Sequence, residues 1–549
     1  FSHSVFAKSL MRVYLPNDEL YMTLDKHIMS PSSPLVICGP VGVGKSSLLV
    51  NWAARHRDHH PEDLVVAHWI GASPSSSSHS FILWRVMQEL AQAMQLEADL
   101  DVETAAIPDE KDASAIISTF PRWIEQVMDV DNRNRKRLVL IIDGIDKLED
   151  RDNALDLVWF PRWWPENVRV VLSTSPGYTA KVLEKRLYPT LEIEPLNEGK
   201  RVSFIRKYLA HHGKKLSEQQ EMQIAGAAQA ANPRFLQTML EDICICAIHE
   251  DLDRRVEQAL KCANTAELYN MVLGRLESDY ESAQNRGKAL RLFCSLVWAS
   301  KGGLSLAGEL EPILESQGIP ESEWSALSLV LEELMTNSSG ILSFSNTDIR
   351  AAVEARYLPT AADRHAIHRL LHSFFQQSQD ITARLAVELP YQLAQGQDWP
   401  GLLRCVSDMR VFDLLYNSVH KYDLLRYWRN LEKQLDACTA SKVYFTLLNQ
   451  GNIPPGIVRS DLTFRVASFL EEIPDFVGAE RVYLMARNLY ENSSQRLEVA
   501  KVDIAIATLL LAQGKVADAE RRYVITTFSL SLSLSLSLSL SLVLALAFV

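Results

Sequence analysis

The octapeptide Gly39-Pro40-Val41-Gly42-Val43-Gly44-Lys45-Ser46 constrains this chain more than any other stretch. It follows the apolar run Leu35-Val36-Ile37-Cys38 and leads into Ser47-Leu48-Leu49-Val50. That order predicts a buried strand, a glycine-rich turn and a helix start, which is the setting a phosphate-binding loop needs. Glycines let successive backbone N–H groups turn onto a phosphate with no Cβ in the way. The helix that follows aims its positive end at the same anion. Lys45 is expected to bridge the β- and γ-phosphates and to serve catalysis, and the Ser46 hydroxyl to ligate Mg²⁺. Gly39, Pro40, Val41, Gly42, Val43, Gly44, Lys45, Ser46 and Ser47 are the candidate nucleotide contacts. A chance glycine-rich loop is the competing reading, and the complete pattern in a strand-to-helix context weighs against it.

Four short apolar runs, at 35–38, 64–70, 138–142 and 168–172, alternate with helical stretches. This alternation predicts a parallel sheet with helices on both faces. The third run continues as Ile142-Asp143-Gly144-Ile145-Asp146. In an open α/β sheet, ligands bind at the C-terminal edge of the strands. Asp143 is therefore the candidate partner of Mg²⁺, and Asp146 the candidate that faces the γ-phosphate and orients the attacking water. The fourth run ends in Ser173-Thr174-Ser175-Pro176-Gly177, either a sensor of the γ-phosphate or a plain exit from the strand. Ser75-Ser76-Ser77-Ser78 reads as a flexible loop. His56-Arg57-Asp58-His59-His60 reads as a solvated helix end beside Pro61, not a metal site.

From residue 196 the pattern turns helical. Amphipathic helices are expected at 196–209, 218–231 and 234–247, the last opened by Asn232-Pro233. Residues 265–300 and 320–337 also read as helices. A strand at 340–344 and a helix at 348–357 suggest helices closed by a small strand pair, a winged-helix module, here with a packing role. Residues 360–460 are helical with no assignable motif. Ala479-Glu480-Arg481-Val482-Tyr483 then recurs forty residues on as Ala519-Glu520-Arg521-Arg522-Tyr523. Small alanines at a helix crossing and a tyrosine knob fit a tetratricopeptide-like hairpin. One and a half such units imply a longer array. Strict Ser-Leu alternation over 529–542 is expected to be translated intron in a gene model, since a TC repeat encodes it. As protein it would be aggregation-prone.

Composition narrows the class. Hydrophobic residues at 47% and charged residues at 23% describe a globular chain. A net charge of −12 argues against general nucleic-acid binding, which needs a basic face. Seven scattered cysteines without a CxxC pair fit buried thiols in a reducing compartment, and Cys244 and Cys246 read as packing residues. No signal peptide or membrane span is expected. The chain opens at Phe1-Ser2-His3, so its true N-terminus is expected upstream.

On these residues the chain resembles the signal-transducing P-loop ATPases of the NACHT/STAND group, and within them the nephrocystin-3-like family with tetratricopeptide repeats. The resemblance rests on four stretches: the loop 39–46 with Leu48-Leu49-Val50-Asn51-Trp52; His68-Trp69-Ile70-Gly71-Ala72-Ser73; Asp143-Gly144-Ile145-Asp146; and Asn232-Pro233-Arg234-Phe235-Leu236. It implies an α/β P-loop NTPase core at 31–195 after an incomplete lead-in at 1–30. A helical lid at 196–262 and a winged-helix-like domain at 263–360 would follow. A helical linker region at 361–460, repeats at 461–526 and the tail at 527–549 complete the expected order. It implies an adenine base against Pro233, ATP/ADP and Mg as cofactors, and slow hydrolysis that resets a switch. It also implies protein partners on the repeats, self-oligomerisation, and a cytoplasmic or ciliary location. Two departures stand out. Ser175-Pro176 replaces an Arg that many relatives carry after the fourth strand, and Asn346 replaces a His that others place against the β-phosphate. A non-hydrolysing nucleotide scaffold is the first alternative. A kinase or a translocating motor would need an Arg-rich lid or a basic channel, and neither is evident.

Overall fold

The computed structural model describes residues 2–531 apart from 12–13, 31–32, 94–106, 110–111, 132–136, 150–152, 246–251, 282–286, 332–333, 339, 379, 417–419, 436–437 and 452. The Ser-Leu repeat beyond 531 and Cys246 lie outside the described residues. The chain divides after Leu371 into two compact units.

The first unit is built on five parallel strands, β1 (Leu35–Cys38), β2 (Leu64–Trp69), β3 (Leu138–Asp143), β4 (Val168–Thr174) and β5 (Thr190–Glu192), in the order β2-β3-β4-β1-β5. The side-chain period of two sends alternate residues of β3 to opposite faces. Leu138, Leu140 and Ile142 join Val170, Leu172, Phe120 and Trp123 in one core layer. Val139 and Ile141 join Ile37, Val171, Leu49 and Trp52 in the other. Helices His79–Ala93 and Ala113–Asp131 cover the first face, and Asp18–Met29 and Lys45–His59 the second. β5 was not expected from the pattern, because Thr-Leu-Glu is short and only one of its residues is apolar.

Helices Glu198–His211, Glu218–Gly226, Pro233–Ile245 and Leu252–Leu260 follow and share a core of their own. Helices Thr265–Tyr280, Lys288–Ala299, Glu321–Leu331 and Thr347–Tyr357 then accompany a small antiparallel sheet. Its strands β6 (Leu304–Ser305), β7 (Met335–Ser338) and β8 (Ile341–Phe344) lie in the order β6-β8-β7. This corrects the expected helix over 320–337, which ends at Leu331, and the expected strand pair, which is a triplet. The cause is the turn at Gly340: it adopts φ +84°, and its N–H donates to Asn337 Oδ1 at 2.9 Å. Chain reversal there pairs Met335–Ser338 with β8.

Two local expectations are also corrected. The serine run is an ordered 3-10 turn at Pro74–Ser77: Ser76 Oγ accepts from Gly71 N at 2.9 Å and from Ser73 N at 3.1 Å. His56 is not solvated. It is buried, bonded through Nε2 to Asp63 at 2.9 Å and stacked on Trp52, whereas His59 does end its helix in solvent.

Among its described residues the second unit is helical. Around Phe412, Trp428, Tyr444 and Phe469 it has an aromatic core in which Trp428 Nε1 donates to Tyr444 OH at 3.0 Å and that hydroxyl donates to the Val406 carbonyl at 2.8 Å. Two helical hairpins follow, Arg459–Glu472 with Phe476–Asn492 and Arg496–Ala512 with Val516–Ser531, so the repeat holds two units where one and a half were expected. Ala479 and Ala519 are fully buried at equivalent crossings. The contacts repeat as well: Tyr483 OH reaches Ser468 at 3.2 Å and Tyr523 OH reaches Thr508 at 3.1 Å, each partner forty residues on.

Candidate functional site

The parallel register sets the site. Ile37 pairs with Ser173 and Cys38 with Thr174, so the phosphate loop leaving β1 emerges beside the end of β4. β3 runs on the other side of β4 and delivers Asp143 to the same edge. Gly42 and Gly44 take φ of +82° and +101°, a region closed to side chains with a Cβ at ordinary cost. A Cβ on Gly42 would also meet Asn232 Oδ1 at 2.7 Å.

Lys45 is the first residue of its helix and only 9% exposed. Its ammonium donates to the Gly39 carbonyl at 2.6 Å, the Pro40 carbonyl at 3.0 Å and Ser175 Oγ at 3.3 Å. Burial pulls its pKa down, and the Asp146 and Asp143 carboxylates pull against that. Ser46 Oγ donates to Asp143 Oδ2 at 2.6 Å. Ser173 Oγ donates to Asp143 Oδ1 and accepts from Gly144 N, the latter at 2.8 Å. Asp143 is thus fixed on both oxygens, and Ser173, whose role the sequence did not reveal, is what fixes the second. Asp146 lies in the short turn Ile145–Lys147, and its Oδ1 is buried with no hydrogen-bond partner. An acceptor held dry and unpaired beside a lysine is set up to receive a donor. Ser47 is half-buried in the first helical turn.

Beside the loop lies a cleft of about 280 Å³ lined by Pro40, Val43, Pro195, Ala231, Asn232 and Phe235 among others. Pro233 opens the helix Pro233–Ile245 but does not line this cleft; Pro195 and Phe235 do. Asn232 Nδ2 donates to the Val41 carbonyl at 3.0 Å, tying the helical segment to the crest of the loop. Asn346 is placed elsewhere. Its Oδ1 accepts from Asp348 N and Ile349 N, and its Nδ2 donates to Tyr269 OH at 3.0 Å and Ser345 Oγ at 3.1 Å. It caps a helix, and its hydrogen-bonding groups are all engaged.

Cys38, one residue before the loop, has its thiol pKa raised by burial and by Glu192, which disfavours the thiolate. Cys244 is half-buried against the helical core. The described cysteines are all free, and among the described residues no group of three acidic, His or Cys side chains could hold a metal.

A parallel sheet that ends in this loop, with Ser46 bonded to Asp143 at its edge, is the fold of a P-loop NTPase. Residues 33–212 match the NACHT domain model. The chain is 37% identical to a tetratricopeptide-repeat-containing protein of Dictyostelium discoideum, over 95% of this chain and 35% of that one. It is 27% identical to nephrocystin-3 of Mus musculus, over 83% of this chain and 34% of that one. Among solved structures it is similar to a STAND protein with a tetratricopeptide repeat sensor from Pyrococcus horikoshii, with a TM-score of 0.43 and 12% identity, over 94% of this chain and 77% of that one. The chain spans about a third of the length of the curated relatives it matches. Among the described residues, no helix is long and apolar enough to cross a membrane.

Proposed function

We propose that this chain is an ATP-binding signal-transduction NTPase: a nucleotide-dependent switch with slow, Mg-dependent hydrolysis and a helical arm for protein partners. The observation that carries this reading is the convergence of Lys45, Ser46, Asp143 and the unpaired Asp146 Oδ1 at one sheet edge. Loop amides and Lys45 would hold the phosphates, and the cleft beside Val43, Pro195 and Phe235 would take the adenine. Ser46 Oγ and Asp143 Oδ2 are hard oxygen donors already within 2.6 Å of each other, which fits Mg²⁺. When bound, that ion would neutralise charge on the β- and γ-phosphate oxygens.

Hydrolysis asks one further thing of the protein. Asp146 would accept a hydrogen bond from a water, aim its oxygen at the γ-phosphorus and take its proton as the bond to the β-phosphate oxygen breaks. Lys45 and the loop amides would stabilise the charge that moves onto the leaving oxygen. We further propose that residues 196–262 act as the lid and 263–360 as a winged-helix-like domain. Residues 461–526 would bind protein partners and allow self-association. A cytoplasmic or ciliary location rests on family resemblance alone. The second reading, a nucleotide-binding scaffold that does not turn over, is favoured by Ser175, which meets Lys45 where a second cation would aid catalysis.

Equilibrium titration of ATP with Mg²⁺ tests the nucleotide reading. Wild-type protein should bind, and Lys45→Ala should lose roughly a hundredfold or more in affinity, as expected for removing a buried charge-assisted phosphate contact. Equal affinity in both proteins would refute the assignment of Lys45.

A further inference from the structure

Arg234 is the second residue of the helix Pro233–Ile245 and starts from the crest of the phosphate loop. A Cβ on Gly42 would lie 3.1 Å from the Arg234 Cβ. Its backbone is held there, because its N–H donates to Asn232 Oδ1 at 3.0 Å while Asn232 Nδ2 grips the Val41 carbonyl at 3.0 Å. The side chain is held far less firmly. Among the described residues its one carboxylate partner is Asp348, at 3.9 Å, with the two side chains 33% and 26% exposed. That separation is too long for a hydrogen bond, and among the described residues the guanidinium makes none. Among the described residues its five N–H donors thus make no hydrogen bond, on a residue whose backbone and Cβ lie against the loop.

The contact with Asp348 is not what holds the neighbouring helices together. Tyr269 OH receives hydrogen bonds from both Thr238 and Asn346, and Arg275 pairs with the buried Asp242 at 2.7 Å. Arg356 clasps Glu277 with two N–H groups, at 2.8 and 2.6 Å. A loose, partly exposed pair adds little to these and is easily exchanged for a better anion. A terminal phosphate offers bidentate, charge-assisted bonds to a guanidinium, which Asp348 at its present distance does not.

We propose that Arg234 is a ligand of the terminal phosphate of a nucleoside triphosphate, and that Asp348 is its internal competitor. With a diphosphate, Arg234 stays on Asp348; with a triphosphate it turns to the γ-phosphate and releases the first turn of the helix Thr347–Tyr357. This inference rests on the nucleotide-binding reading above. It makes Arg234 the residue that distinguishes the two states of the switch, since only a differential contact can shift such an equilibrium.

Equilibrium binding of fluorescent ATPγS and fluorescent ADP to the full chain with Mg²⁺ tests it, using Arg234→Ala, Asp348→Asn and the double charge swap Arg234→Asp/Asp348→Arg. Arg234→Ala should lose roughly tenfold or more in triphosphate affinity and keep diphosphate affinity within about threefold. Asp348→Asn should bind triphosphate more tightly than wild type, because the competitor is gone. The charge swap restores an ion pair but leaves no cation on the lid, so it should behave like Arg234→Ala. Restoration of wild-type triphosphate affinity by the swap would make the pair structural and overturn the proposal. So would an equal effect of Arg234→Ala on both nucleotides, or no effect. If wild type and Lys45→Ala both fail to bind either nucleotide, the nucleotide reading itself falls and takes this proposal with it.

Discussion

At His68 two neighbours fix one tautomer. Arg85 can only donate, so its approach to Nδ1 at 3.1 Å makes that nitrogen the acceptor and leaves Nε2–H to donate to the Ser76 carbonyl at 2.9 Å. The ring is fully buried, and burial, aided by Arg85, holds its pKa down at about 3. The unfolded chain takes up this proton near pH 6.5, while the folded chain resists until about pH 3. Stability is therefore lost as pH falls from about 6.5 towards 3, by about 2 kcal/mol at pH 5 from this site. Denaturant unfolding at pH 7 and pH 5 should show His68→Gln losing about 2 kcal/mol less than wild type across that interval. Equal losses would mean that His68 is not held neutral. Legibility at this scale followed locality. That Lys45, Ser46, Asp143 and Asp146 meet at one sheet edge could be read because each lies in a contiguous pattern of strand, turn and helix. Ser173, Asn232 and Arg234 could not, because their partners Asp143, Val41 and Gly42 come near only once the chain has folded. His56 was misjudged for the same reason: its neighbours in sequence are polar, but Asp63 and Trp52 enclose it.

Among the elements, those with a clean period were readable and those set by their surroundings were not. Strands β1 to β4 are short, mostly apolar runs. β5 holds its place by pairing with β1 at Val36, Ile37 and Cys38, a property of the neighbour and not of Thr-Leu-Glu. β7 reads Met-Thr-Asn-Ser and becomes a strand because the turn at Gly340 returns β8 to it. In the helical arm, identical residues forty apart make equivalent contacts, which is why an internal repeat was a sound guide. Ala479 at its crossing has no exposed surface, whereas Val477 on the same helix is 61% exposed. Ala479→Leu should therefore cost about 1–3 kcal/mol through overpacking, and Val477→Leu should change little. Urea unfolding of both variants checks this. An Ala479→Leu protein as stable as wild type would mean that the hairpins do not pack as described.

At the scale of the whole chain, the proposed nucleotide site and the small antiparallel sheet belong to one compact unit, and the aromatic core and the helical hairpins to the other. A switch needs a site whose occupant differs between states and an arm that presents a surface. The boundary after Leu371 falls within the helix Ala361–Phe375, so no composition break in the sequence marks it. The central claim is that the first unit cleaves the nucleotide it binds, and Asp146 is where that claim is most exposed. Single-turnover hydrolysis of ATP with Mg²⁺ by the full chain, wild type against Asp146→Asn, is the direct measurement. The account predicts slow cleavage by wild type, unchanged ATP affinity in Asp146→Asn, and cleavage by that variant slower by roughly a hundredfold or more. Binding without cleavage in wild type, or identical rates in the two proteins, would contradict it and leave a nucleotide-stabilised scaffold.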